Sequence, residues 1–425
     1  MKIVGIICEY NPFHHGHLYQ IRKVREILGD DCAVIAIMSG NFVQRGEAAI
    51  LDKWARSRAA IQCGVNLVLE LPTIYATASA ELFASGGVGI AAATGICDYL
   101  VFGSESGDLT ILEPIAAILA NEPEEYRRLL RLHLDEGLSF SVSRSLAMEE
   151  FVQATGFSAV LSRSNNILAI EYLKSLKRRN IKRMKPLTIL REGQEYNDTA
   201  PHSSTHASAS AIREILQTPN IGSASMIDLL SNVMPETALA SLVYHHHNHE
   251  TIFSRESYSS ELFSLLLSDS LSMLNQRSCM SEGLGSRLRG LASSSTVSKY
   301  RLKQLIESAA TKRYPRSRVR RALTHLLLGI TPADHAMASD PTAPYYIRVL
   351  GFDKKGRYLL KRMRNVAHLP IITRGSDFRE YAANTQNAPL LRMAEIDIIA
   401  TDIWTQKTSG LCGRDFMTPP ISFPR

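Results

Sequence analysis

The run Lys2-Ile3-Val4-Gly5-Ile6-Ile7-Cys8, followed after two residues by Asn11-Pro12-Phe13-His14-His15-Gly16-His17 and then by Leu18-Tyr19-Gln20-Ile21-Arg22, decides the fold. The first run is apolar and short, as in a parallel strand buried on both faces. The second reads as a turn and the third as the start of a helix. A turn behind a first strand lies at the carboxyl edge of an open α/β sheet, where such sheets bind ligands. Backbone N–H groups at a helix start there favour an anion such as phosphate. His14 and His17 therefore stand where two imidazoles can meet phosphate. The plainer alternative is that they only pack or cap, and their position behind the first strand favours function.

The next two hundred residues repeat the alternation of short apolar runs and helix-like stretches that builds βαβ units. Strands are expected at Ile3–Cys8, Ala33–Met38, Leu67–Leu71, Tyr99–Phe102 and Leu187–Leu190. Helices are expected near Leu18–Leu28, Lys53–Gln62, Ala78–Ala93, Leu109–Leu119 and Asn166–Lys177. Right-handed crossovers stack the helices on both faces. The strand ends at Glu9, Ser39, Pro72 and Gly103 then share one edge, so that His14, the loop 40–46 and Gly103 converge. A break at Pro219-Asn220-Ile221-Gly222-Ser223 closes this part. Residues 227–330 carry helix-length periodicity, and Tyr345–Phe352 reads as a strand before a turn at Asp353–Gly356. The expected organisation is a Rossmann-type parallel α/β domain over 1–222, a helical domain over 223–331, and a small α/β appendage over 332–425.

With 425 residues and 45% apolar content, the chain can bury two or three cores. The opening apolar run ends at Glu9 with no cleavage-site pattern, and no segment has the length that crosses a bilayer, so a cytoplasmic protein with no membrane association is expected. Six scattered cysteines without a Cys-x-x-Cys pair point to neither a zinc site nor a disulfide framework. The tract His245-His246-His247-Asn248-His249 has no second motif to complete a metal site and reads as a solvated helix end. The net charge of +7 is unevenly spread. Between Lys299 and Arg321 nine basic residues face the single acid Glu307, a local excess greater than that of the whole chain. A second basic cluster runs from Lys177 to Lys185. Solvated helix faces can look like this, but polyanion binding is the expectation.

His14, Gly16 and His17 resemble the HxGH signature of the nucleotidyltransferase superfamily, whose sheet is of the HUP-like Rossmann type. The likeness narrows through Gly40–Glu47, Leu69-Glu70-Leu71-Pro72, Phe102–Ser106, Asn165–Tyr172 and Ser281–Leu284. Together these resemble the tRNA(Met) cytidine acetate ligase family, over nearly the whole chain. The resemblance implies that acetate is activated by ATP as acetyl-adenylate, with release of pyrophosphate. The acetyl group then passes to N4 of the wobble cytidine of elongator methionine tRNA.

His14 and His17 are then the catalytic candidates, as phosphate donors that need no tuned pKa. The resembled ATP site draws on Ile7, Asn11, Pro12, Phe13, Gly16 and Gln20 around the first turn. Further along the chain it draws on Gly103, Asn165 and Arg191. Ser208-Ala209-Ser210-Ala211-Ile212-Arg213 resembles the superfamily's second phosphate element, with alanine in place of two hydroxyl residues. Ser210 is available there as an N-cap, and Ser210 and Arg213 are phosphate candidates. Loop position alone offers Gln44 or Arg45 for the acetate carboxylate, against a purely bracing role toward Glu47 or Asp52. Arg313, Arg316, Arg318, Arg320 and Arg321 are the tRNA-phosphate candidates, with Tyr314 as the one aromatic among them. Mg²⁺ is expected to accompany ATP, but no carboxylate is assigned to it and no protein metal site is expected. Two rivals share parts of this pattern: adenylyl transfer to a small phosphorylated acceptor, and a non-catalytic tRNA-binding factor. Oligomeric state is not legible.

Overall fold

The structure, a computed structural model, describes residues 1–191, 208–218, 221–294, 301–385 and 387–423. Pro219 and Asn220 of the expected break, and Lys299 of the basic run, lie outside the described residues. The strands are β1 (Ile3–Cys8), β2 (Ala33–Ser39), β3 (Phe42–Val43), β4 (Glu47–Ala48), β5 (Leu67–Leu71), β6 (Tyr99–Ser104), β7 (Lys185–Leu190), β8 (Ile347–Phe352), β9 (Ile371–Ile372) and β10 (Ile421–Ser422). Eight of them form one sheet in the order β10-β8-β5-β2-β1-β6-β7, with β9 also on β8, while β3 and β4 form a separate hairpin. Every neighbouring pair in the large sheet is parallel except β5 and β8. The mainly parallel α/β sheet expected from the alternation is therefore present.

Side-chain alternation explains why these runs are apolar throughout. Ile3, Ile35, Ile37, Leu67 and Leu69 face one core, and Val4, Ile6, Val34, Ala36, Met38 and Val68 face the other. Each such buried aliphatic side chain contributes about 1.5–3 kcal/mol. Among the described residues no strand lies between Leu190 and Ile347. The helices Ser223–Leu230 and Glu236–His247 pack into the second core, while Ser259–Ser268, Leu284–Ala292, Leu302–Ala309 and Arg316–Leu328 join the first.

The C-terminal strands extend this sheet rather than building one of their own: β8 lies antiparallel on β5, with Arg348 opposite Glu70. Ion pairing supplies the reason. Glu70 sits inside Leu69-Glu70-Leu71, in a strand buried throughout, and a buried carboxylate persists only where cations reach it. Lys53 Nζ lies 2.8 Å from Glu70 and 2.8 Å from Asp415, and Arg348 lies 2.8 Å from Asp415 and 3.5 Å from Glu70. Trp404 also donates its indole N–H to the Ala49 carbonyl at 2.8 Å. The last eighty residues are thus tied to the sheet edge by buried polar contacts.

The first helix spans His15–Leu28, three residues earlier than the apolar periodicity places it, because His14 itself caps it. The tract His245–His249 ends the helix Glu236–His247. His245 pairs with Glu250 at 2.6 Å and His246 stacks on Phe253.

Candidate functional site

From β1 the strand order runs outward through β2 to β5, then returns to the other side of β1 for β6 and β7. The carboxyl ends of β1 and β6 therefore splay apart and leave a crevice at the point where the order reverses. A cavity of about 130 Å³ opens there. Its lining brings together Ile7 near the end of β1, Glu9, Asn11, His14, His17 and Gln20 after it, Gln44 from the β3–β4 hairpin, and Gly103 at the end of β6. Asn165, Arg191, Ser208 and Arg213 complete it. Residues two hundred positions apart in sequence thus face one space.

The first turn holds its imidazoles by a capping box. His14 Nδ1 accepts the Gly16 N–H at 3.0 Å, and His17 Nδ1 accepts the His14 N–H at 3.2 Å, with ring centroids 3.8 Å apart. Each Nδ1 is an acceptor, so each neutral ring carries its proton on Nε2 and offers one N–H donor. Burial lowers both pKa values. His17 falls to about 3, helped by the nearby Arg191, and His14 drops well below the usual histidine range. The rings are therefore neutral donors near pH 7. Gly16 is required by close approach, since a β-carbon there would lie 2.8 Å from His14 Cε1.

The opposite wall is organised by Glu105. Its carboxylate accepts the backbone N–H of Asn165 (3.0 Å) and Asn166 (2.7 Å) and the Asn165 side-chain amide (2.6 Å), which caps the helix Ser164–Arg178. Asn166 Oδ1 in turn accepts the N–H groups of Glu105 and Ser106. With its amide nitrogen held, Asn165 presents Oδ1 to Arg191 Nη1 at 3.1 Å, which orients that guanidinium. Arg213 donates from Nη1 to the Asn11 carbonyl at 2.9 Å and from Nη2 to Ser210 Oγ at 3.1 Å, and lies 3.3 Å from Glu47. Buried Arg56 gathers the loops behind, donating to the carbonyls of Glu9 (2.6 Å), Ser39 (3.0 Å), Leu51 (3.0 Å) and Gly40.

Several expected residues sit differently from their expected placement. The cap of the helix Ala209–Leu216 is Ser208, which accepts the Ala211 N–H, and Ser210 is inside the helix bonded to Arg213. The first hydroxyl of the run sits at the extended residue before the helix, where a cap must be. Phe13 is buried against Tyr10 and His17, with centroids at 4.8 and 5.4 Å, and Pro12 is buried beside it; neither lines the cavity. Gly16 lines a small adjoining cavity with His14, Gln20 and Arg191. Gln44 reaches the main cavity and its backbone N–H is held by Glu9 at 3.0 Å, whereas Arg45 does not line it.

In the basic run, Arg313 and Arg316 are exposed. Arg318 pairs with Glu282 at 2.9 Å, Arg320 turns toward the β3–β4 hairpin, and Arg321 is largely buried against Cys279. Sequence reasoning gave no role to Glu9, Glu105, Ser208 or Arg56. A carboxylate directly behind an apolar strand, as at Glu9 and Glu105, is the signal that was available for two of them.

The family model of the HIGH nucleotidyl transferases matches residues 1–415. A tRNA(Met) cytidine acetate ligase of Acetivibrio thermocellus is 40% identical over 95% of this chain and 94% of its own length. That of Thermoanaerobacter sp. is 41% identical over 99% of this chain and all of its own. Among solved structures, Thermotoga maritima TmcAL in its apo form I superposes with a TM-score of 0.92 at 33% identity, and the form II crystal bound with alpha-thio ATP with 0.90 at 32%, each covering both chains fully. On this full-length likeness, the chain belongs to the tRNA(Met) cytidine acetate ligase family, within the HIGH nucleotidyl transferases.

Proposed function

We propose that this protein acetylates N4 of the wobble cytidine of elongator methionine tRNA, using acetate and ATP. The observation that carries this reading is the single cavity onto which the first-turn imidazoles, Arg191 and Arg213 all open. Two neutral N–H donors and two guanidinium groups suit a triphosphate better than a neutral ligand. A carboxylate is a poor electrophile until it is activated. An acetate oxygen attacks the α-phosphorus, the bond to the β-phosphate bridging oxygen breaks, and pyrophosphate leaves with its electron pair. The N4 amine then attacks the acetyl carbon, loses a proton, and expels AMP.

In this reading His14 and His17 donate from Nε2 to the phosphates, and Arg191 and Arg213 hold the outer phosphate oxygens. Gly103 leaves room for the nucleotide. Asn165 acts as a positioning residue through Arg191, and Gln44, at the mouth behind Glu9, is the candidate for the acetate carboxylate. Among the described residues no group of three His, Cys, Asp or Glu side chains is placed to hold a metal ion. Glu105 is consumed by its helix cap, so a Mg²⁺ ion entering with ATP would be held by phosphate oxygens and water. Arg313 and Arg316 contact tRNA phosphates. Relatives that are tRNA(Met) cytidine acetate ligases and the ATP analogue bound in the Thermotoga structure support the same reading.

Purified protein incubated with ATP, labelled acetate and mixed tRNA tests it. Label on RNA, recovered as N4-acetylcytidine on nucleoside mass analysis, is the expected result. Label confined to nucleotide points to adenylyl transfer without an RNA acceptor, and no turnover points to a binding factor.

A further inference from the structure

A second cavity, of about 140 Å³, lies beside the first, and neither the imidazoles of the first turn nor Arg191 line it. Phe42, Tyr258, Leu262, Ile306 and Leu323 form its apolar walls, and Arg255, Arg316 and Arg320 stand around them. The cavity exists because the hairpin rests directly on the basic helix Arg316–Leu328. Gly46, at φ +67°, lies so close that a β-carbon there would come within 2.7 Å of the Arg320 backbone. Arg213 lines both cavities. Glu47 lines this one and lies 3.3 Å from Arg213 and 3.5 Å from Arg255, yet its buried Oε1 accepts no hydrogen bond among the described residues.

We propose that this cavity takes one unstacked nucleobase of the RNA, a neighbour of the base that is acetylated. The inference rests on the acetyl-transfer reading above and adds to it a second base site.

Three observations carry it. An apolar slot with an aromatic wall suits a base removed from its stack. Cations gathered at its rim suit the attached phosphodiester: burial pushes the Arg320 guanidinium down, and Arg255, Arg45 and Arg316 push the same way against the pull of Glu47. Glu47 Oε1, engaged among the described residues only by the 3.3 Å ion pair with Arg213 Nε, keeps a lone pair that suits an exocyclic amine. The occupant is a neighbour rather than the acceptor because the Glu47–Arg213 pair stands between this cavity and the phosphate site, so an amine seated here cannot reach an acyl group on the α-phosphate.

The test uses the full chain, an anticodon stem-loop RNA, and copies of that RNA with an abasic residue on one or the other side of the acceptor. Ile306→Trp and Leu327→Trp, at two helix residues that line the cavity, fill it from the helical side, and acetate-dependent ATP–pyrophosphate exchange reports on the first half-reaction independently. Both variants are expected to keep exchange and to lose about tenfold or more in acetyl transfer. One abasic RNA is expected to slow the unaltered protein by a similar factor and to add nothing in Ile306→Trp. Unimpaired transfer in the filled variants, or the same abasic penalty with and without the filling, overturns the base site. Absence of exchange and transfer in the unaltered protein overturns the acetyl-transfer reading instead.

Discussion

Gly16→Ala separates the catalytic role of the first turn from its structural one. The new β-carbon would lie 2.8 Å from His14 Cε1 and 3.0 Å from its Nδ1, so the ring must swing away. That breaks the 3.0 Å bond from the Gly16 N–H, a helix cap worth about 1 kcal/mol. Alanine inside a helix recovers a similar amount relative to glycine, about 0.5–1 kcal/mol, so the net change in stability is small. The donor on Nε2 no longer points where phosphate charge develops. Loss of one such donor costs about 10²–10³ in rate, or about 2.7–4 kcal/mol. Urea unfolding and acetate-dependent pyrophosphate exchange measure the two effects on the same preparation. Expected is an unfolding midpoint near that of the unaltered protein with exchange about a hundredfold slower. His14→Ala and His14→Ala/Gly16→Ala are expected to match each other, because the clash needs the ring. Exchange close to normal in Gly16→Ala, with the protein folded, would refute the assignment of His14 as a phosphate donor.

Acid sensitivity follows from the buried histidines. His17 and His325 are lowered from 6.5 to about 3, and His14 is lowered as well, so the folded state refuses protons that the unfolded chain accepts. The contribution of His17 and His325 to stability is complete above about pH 6.5 and is lost as pH falls toward about 3, by up to about 1.4 kcal/mol per pH unit for each of these two rings, and His14 acts in the same direction; urea midpoints across that window measure it. Lys53→Met removes one of the two cations from the Glu70–Asp415 cluster and should cost about 3–5 kcal/mol in chemical denaturation, whereas Lys53→Met/Glu70→Leu should recover much of the loss. Arg316→Ala should lower the slope of log affinity for tRNA against log salt by about 0.7–0.9 with little change in stability. Arg321→Ala, which empties a packed position against Cys279, should instead shift the unfolding midpoint.

Local pattern determined the sheet strands of the first two hundred residues, because each is a short run whose burial on both faces leaves its mark in consecutive residues. It also determined that His14 and His17 follow the first strand, and chain order then placed them at the binding edge. It placed Arg191 and Arg213 by likeness to a family, without showing what holds them. The rest was decided in three dimensions. Ser208 rather than Ser210 caps its helix because the extended residue at the helix boundary is set by where the backbone enters it. Arg318 and Arg321 read as free cations in sequence, yet one pairs with Glu282 and the other is partly buried against Cys279, since the face a helix turns inward depends on its neighbours. Glu70 shows the same limit most sharply. Its presence in an apolar strand is visible in Leu69-Glu70-Leu71, but Arg348, which pairs with it alongside Lys53, is nearly three hundred residues away, and Asp415, the carboxylate that shares both cations, is farther still. Hydrophobic periodicity is written into neighbouring residues, whereas charge compensation is a matter of distance in space, and only the folded chain sets that distance.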